Sequence, residues 1–198
     1  MTSLILLLAA LGGDPGPQEE PASGDLQPFV TLRSGVWAGT GFHFEAVKDS
    51  VRRELDTNAL FSAGVDAGVQ FLEHFVLFGT YEVNLTDDIF SDLAGACIGY
   101  RERGEEGGKA AIPQETTVYA GGLYGRFDVD AEGLWEFDDA WGFRAGIAFS
   151  WKVGRSLTVD LVGEYRLIEF DYSVKPDSGD KYVGGSTGWL GLGLQYRF

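Results

Sequence analysis

The last ten residues of the chain, Trp189-Leu-Gly-Leu-Gly-Leu-Gln-Tyr-Arg-Phe198, restrict what it can fold into more than any other stretch. Counting back from Phe198, every second residue is apolar: Tyr196, Leu194, Leu192 and Leu190. Arg197, Gln195, Gly193 and Gly191 fill the positions between them. Successive side chains of a β-strand point to opposite faces, so this segment presents one oily face and one polar or side-chain-free face. Such a strand needs oil on one side and a polar interior on the other.

The alternation recurs upstream, interrupted by polar breaks. Segment 29–46 sets Val36, Ala38, Phe42 and Phe44 against Arg33, Trp37, His43 and Glu45. Segment 60–71 sets Phe61, Ala63, Val65, Ala67 and Val69 against Ser62, Gly64, Asp66, Gly68 and Gln70. In 75–84, Leu77, Tyr81 and Val83 oppose Thr80 and Glu82; in 93–101, Ala94, Ala96, Ile98 and Tyr100 oppose Cys97 and Arg101. Segment 117–129 reads Tyr119, Leu123, Phe127 and Val129 on its apolar face, with Tyr124, Arg126 and Asp128 opposite. Segment 141–151 places Trp141, Phe143, Ile147, Phe149 and Trp151 against Arg144 and Ser150. Segment 157–172 places Leu157, Val159, Leu161, Tyr165 and Leu167 against Thr158, Asp160, Glu164 and Arg166. With the closing strand this predicts about eight strands, each near the ~9–11 residues that a tilted strand needs to cross hydrocarbon. Tight turns are expected at 72–75 and 152–156, on the side of both termini, with longer loops after the first, third, fifth and seventh strands. The break at 103–114 is long for a turn on that side.

Composition removes several classes of function. A net charge of −15 argues against nucleic acid, whose phosphates demand a basic surface. One cysteine, Cys97, permits no intramolecular disulfide and no cysteine-based zinc site; it reads as a small residue of the wall. Mean hydropathy is −0.04 and no apolar run approaches ~20 residues, which excludes a spanning helix. It does not exclude spanning strands, because alternation hides them from hydropathy windows. The 198 residues suffice for one domain, expected over 29–198. Residues 1–13 carry an apolar core at Leu4–Leu11 followed by small residues, like the second half of a secretory signal peptide, although the leading basic segment is missing. Residues 14–28 are acidic and proline-rich and are expected to be a disordered leader.

A soluble lipocalin-like barrel shares the two-residue period, but it turns its apolar face inward and its charged face to water. Here the less apolar face carries glycine and isolated charges of both signs, which suits a narrow lumen where charges pair. Trp141 and Trp151 lie at opposite ends of one strand, suiting two interfacial girdles. The expected fold is therefore all-β: a closed antiparallel eight-stranded transmembrane β-barrel.

On the closing strand, on Phe61-Ser-Ala-Gly-Val-Asp-Ala-Gly-Val-Gln-Phe71 before a tight turn, and on the Val153-Gly-Arg-Ser156 turn, residues 29–198 resemble the small eight-stranded outer-membrane barrels of OmpA/OmpX membrane-domain type. The resemblance implies location in the bacterial outer membrane, with outer-membrane lipids and lipopolysaccharide around the barrel. It further implies that the barrel-assembly machinery reads Phe198, Tyr196, Leu194, Leu192 and Leu190. It carries no single activity.

Ten inward charges are expected to form a lumen network: Glu45, Asp66, Glu82, Arg101, Arg126, Arg144, Asp160, Glu164, Arg166 and Arg197. Unpaired buried charges are costly, so these should pair. Eight strands leave a bore just wide enough for side chains, which favours a salt-bridged plug over a narrow small-solute channel. Asp160 and Glu164 share a face, but nothing marks them as a catalytic carboxylate pair. His43 and His74 lack converging Ser and acid partners, and no motif of a lipid A-modifying barrel enzyme maps onto the chain. Asp87-Asp88 and Asp138-Asp139 fall in expected outer loops, where they could attract cations or simply be solvated. Gly121-Gly122 and Gly184-Gly185 precede no helix and are not phosphate loops. The expectation is a non-catalytic structural or surface-interacting barrel with no cofactor and no metal, and with an unidentified surface ligand.

Overall fold

The computed structural model describes residues 26–38, 42–48, 51–57, 60–85, 89–104, 112–129, 135–171 and 183–198. Ten strands are formed: β1 (Gln27–Ala38), β2 (Phe42–Lys48), β3 (Val51–Thr57), β4 (Leu60–Phe71), β5 (Phe75–Leu85), β6 (Ile89–Arg103), β7 (Glu115–Val129), β8 (Trp135–Lys152), β9 (Leu157–Asp171) and β10 (Val183–Arg197). Eight of them close a barrel in the order β1-β10-β9-β8-β7-β6-β5-β4, and β4 pairs back onto β1. All pairings in the barrel are antiparallel. Closure removes the two edges that an open eight-stranded sheet would have.

The start of β1 and the end of β10 meet at the same rim, with Phe29 opposite Arg197 and the Phe198 amide donating to the Pro28 carbonyl at 3.1 Å. The turns after β4 and β8 share that rim. In the first, Leu72 and Glu73 adopt φ of 48° and 63°, the left-handed sign that a tight hairpin needs. Gly104 and Gln114 lie there too, Gly104 N donating to Gln114 O at 2.7 Å and Gln114 N to Ser150 O at 2.9 Å.

The wall is oily outside and polar inside. Leu32, Phe61, Leu77, Ile98, Phe143, Leu190 and Leu192 point outward and are exposed. The alternate positions point inward, and five arginines and five carboxylates are buried there among the described residues. Solvated monomers do not expose an apolar belt of this kind. The face assignment of a soluble ligand-binding barrel is thus the reverse of what is found.

The seam between first and last strands is sealed by Trp189. Its indole lies across Gly35 and Gly191: a Cβ on Gly35 would stand 2.5 Å from the ring, and one on Gly191 2.2 Å. Only glycine leaves that space, and the ring covers backbone that would otherwise face the bore.

Four features depart from the expectation. The segment 29–46 is not one strand, because β1 stops at Ala38. Its partner on one side runs out there, since β4 begins at Leu60, opposite Trp37. The chain beyond forms a separate two-stranded sheet, β2-β3, that places Glu45 opposite Glu54 and off the barrel wall. The Glu45 side chain itself lies outside the described residues, as does that of His43. Second, β7 faces the other way: Tyr119 and Leu123 are buried, while Val118, Tyr124 and Arg126 are exposed. Both faces of β7 carry apolar residues, so its own pattern does not fix its register. Third, β6 begins at Ile89 and leaves only 86–88 as the connection from β5, where a longer loop is expected. Fourth, Asp138-Asp139 sit on β8 instead of in a loop. Residues 1–25, and with them the signal-like segment and most of the leader, lie outside the described residues, as do Asp87-Asp88; Gln27 and Pro28 already belong to β1.

Candidate functional site

The bore is filled by two layers of charge. The layer nearer its middle is built from Arg33 on β1, Asp66 on β4, Glu82 on β5, Arg144 on β8, and Glu164 and Arg166 on β9. Arg33 reaches Asp66 with Nε at 3.0 Å, Glu164 with Nη1 at 2.7 Å, and Glu82 with Nη2 at 3.4 Å. Its Nη2 also donates to Thr80 Oγ1 at 2.9 Å. Arg166 meets Glu82 through both terminal nitrogens, Nη2 donating to Oε2 at 2.9 Å, and its Nε donates to Glu164 Oε2 at 2.7 Å. Glu164 also accepts from the Tyr119 hydroxyl and stands 3.6 Å from Arg144 Nη1. Arg144 donates through Nε to Cys97 Sγ at 3.0 Å.

Aromatic rings complete the shell. The Arg166 guanidinium lies 4.9 Å from the Trp37 ring and 5.1 Å from Trp189; Arg144 lies 5.6 Å from both Phe78 and Tyr119. Cations over ring faces in a desolvated bore gain more than they would in water. Arg144 and Arg166 have no exposed surface at all. An arginine that deep is tolerable only because carboxylates and rings surround it.

The second layer lies toward the rim that holds both termini. Arg197 forms a two-pronged pair with Glu115, Nη1 donating to Oε1 at 2.8 Å. Arg101 donates to Thr117 Oγ1 at 2.9 Å, and to Gln70 Oε1 and Gln195 Oε1 at 3.0 Å each. Asp160 is also buried in this layer. Beyond the middle layer, toward the opposite rim, Leu60, Leu93, Ala140 and Ile168 fill the bore with apolar side chains. Trp37 Nε1 donates to Asn84 Oδ1 there at 2.8 Å, and Asn84 to Ser91 Oγ at 2.9 Å.

The interior is formally neutral, five arginines against five carboxylates. The chain holds 15 basic and 30 acidic side chains, so removing five of each leaves ten and twenty-five, and the whole excess of −15 lies outside this set.

Eight of the ten expected network residues are buried in the bore: Asp66, Glu82, Arg101, Arg144, Asp160, Glu164, Arg166 and Arg197. Arg126 is not. It points outward from β7 and pairs with Asp92 across the β6–β7 ladder at 3.2 Å. Glu45 belongs to the separate hairpin. Three contributors were not expected. Arg33 lies on the polar face of the first segment and was legible there. Glu115 stands at the margin of a polar break, with no alternation around it. Tyr119 is masked by the two-faced apolar pattern of β7.

Trp141 and Trp151 both point outward from β8 and mark two levels about 25 Å apart, at about 3.3 Å per residue and a tilt of about 40°. Phe198, Leu190 and Leu192 are exposed on the outer face, and the Phe198 ring packs edge-on against Tyr196 at 5.1 Å. His74 sits in the first turn with Nδ1 3.1 Å from the Arg101 carbonyl and its ring stacked on Tyr100. Among the described residues no cluster of His, Cys, Asp and Glu has the arrangement of a metal site.

By sequence, no protein-family model matches the chain, and no curated protein matches it significantly. Its fold is similar to those of solved bacterial barrels. Neisserial surface protein A (NspA) aligns over 86% of this chain and 97% of its own, with 16% identity and a TM-score of 0.50. The N-terminal β-barrel domain of OprF from Pseudomonas aeruginosa aligns over 86% and 97%, with 11% identity and a TM-score of 0.52. The outer membrane protein OprG from the same organism aligns over 90% and 99%, with 11% identity and a TM-score of 0.50. At these identities the likeness is one of fold.

Proposed function

We propose that this chain, which has the eight-stranded fold of the small outer-membrane barrels, is an integral protein of the bacterial outer membrane that is closed, non-catalytic and structural or surface-interacting. One observation carries the reading: the polarity of the wall is inverted relative to a protein in water, with an exposed apolar belt outside and a formally neutral, largely paired set of charges inside. The belt is solvated by outer-membrane lipids and by lipopolysaccharide, with Trp141 and Trp151 at the two headgroup levels. The barrel-assembly machinery takes the closing strand, with Phe198, Tyr196, Leu194, Leu192 and Leu190 as its signal. The charges of the bore act as a brace and plug.

Arginine approaches every carboxylate of the middle layer, which favours ion pairing over a role as base or nucleophile and supports the non-catalytic reading. A bore plugged in two layers, with aliphatic side chains beyond, favours a closed barrel over a small-solute channel. The chain should fractionate with the outer membrane, and its band should move on a gel between unboiled and boiled samples. Purified barrel in planar bilayers should show no unitary current. A soluble periplasmic protein with no mobility shift would overturn the membrane reading, and discrete channel openings would replace the plug with a pore. Altered lipid A in expressing cells would make the barrel an enzyme.

A further inference from the structure

Between the two charge layers lies a cavity of about 40 Å³, walled by Arg33, Asp66, Arg101, Asp160, Val162 and Gln195 among others. Its walls hold polar atoms that nothing among the described residues satisfies. Asp160 Oδ1 accepts no hydrogen bond, Gln195 Nε2 donates none, and Asp66 Oδ1 has only a distant Arg144 nitrogen at 3.9 Å. These residues are at most 6% exposed. The orientation of the Gln195 amide is fixed by chemistry: Arg101 can only donate, so Oε1 must face it and Nε2 must face away. The cavity thus presents a carboxylate acceptor and an amide donor at once. A buried polar group left in this state costs as much as a lost hydrogen bond.

The geometry points to a built hydration site: a chamber between the layers that binds about three ordered water molecules, which join Asp160 and Gln195 of the lower layer to Asp66 of the middle layer. Volume sets the number, because a bound water needs on the order of 10–15 Å³ of such space and two to four polar partners. Charge sets the species. The wall carries two arginines, Arg33 and Arg101, against two aspartates, Asp66 and Asp160, and an added cation or anion would unbalance it whereas water does not. The missing side chain at Gly193 keeps the chamber open: a Cβ there would stand 3.1 Å from Thr31 and 3.3 Å from Asp160. The plug is then not one solid block but two ionic layers coupled through water. This goes beyond the closed-barrel reading and holds whether or not the bore conducts.

The wild-type crystal structure separates a wet chamber from a dry void, and it does not depend on a variant folding. Two or three density peaks at hydrogen-bond distance from Asp160 Oδ1 and Gln195 Nε2 support the chamber. A bare cavity in a map that resolves other buried waters overturns it.

Discussion

Arg33 and Glu164 are 131 residues apart in the chain and meet at 2.7 Å across the bore. Arg33 belongs to the first strand and Glu164 to the ninth, which pairs with β10 and not with β1. The contact therefore spans the closing seam without being part of its ladder. In the other layer Arg197 on the last strand reaches Glu115 on β7, likewise a strand that it does not pair with. Each of the two strands that form the seam is thus tied by an arginine to a strand outside its own ladder.

Removing Arg166 should be costly in a way that removing the whole pair is not. Arg166→Met leaves Glu82 buried without its main partner and is expected to destabilise the barrel by about 3–5 kcal/mol. Adding Glu82→Met should recover much of that loss, since an apolar pair of similar volume carries no desolvation penalty. Urea unfolding in lipid vesicles, run as a double-mutant cycle, measures both; a double-variant cost equal to the sum of the two single-variant costs would mean that the pair does not couple.

Two glycines should respond in opposite ways to the same side chain. Gly191→Val must displace the Trp189 ring, 2.2 Å from the new Cβ, and should open the seam. Gly163→Val meets nothing within 4 Å and adds a β-branched residue to an outward strand position, so it should be neutral or slightly stabilising. The temperature at which the compact band is lost reports both, and equal sensitivity at the two sites would contradict the stacking of Trp189 on the seam.

The orientation of β7 can be read by labelling. In a Cys97→Ser background, Tyr124→Cys should react with a membrane-soluble maleimide and Tyr119→Cys should not, because Tyr124 faces outward and Tyr119 is buried against Glu164. The reverse pattern would restore the orientation expected from sequence.

If the belt meets lipid, Trp141 should be quenched by lipids brominated near the headgroup. Trp141→Phe should then remove a large share of that quenching, while Trp189, buried in the bore, stays protected. Quenching that the substitution leaves unchanged would place Trp141 away from the bilayer.

The corrections share one cause. A strand's own pattern fixes its register only where its two faces differ in polarity. On β4, β5, β6, β8, β9 and β10 the faces differ, and the inward residues expected from alternation are the buried ones. On β7, Tyr119, Gly121 and Leu123 on one face are as apolar as Val118, Ala120 and Tyr124 on the other, and pairing with β6 and β8 settles the matter. The end of β1 at Ala38 was equally hidden, because alternation continues through Phe42 and Phe44 whether or not a partner strand stands alongside.

What the sequence determined by itself was the period, the approximate strand count and the sign of the wall's polarity. Those follow from side chains alternating along an extended chain, a local property that any single segment displays. Which charges meet was decided by the tertiary structure alone. Glu164 is reached by Arg33 from β1, Arg144 from β8 and Arg166 from its own strand, and that choice depends on how far each strand is displaced along its neighbours when the sheet closes. Closure couples all eight barrel strands at once, so no stretch of sequence read alone contains it.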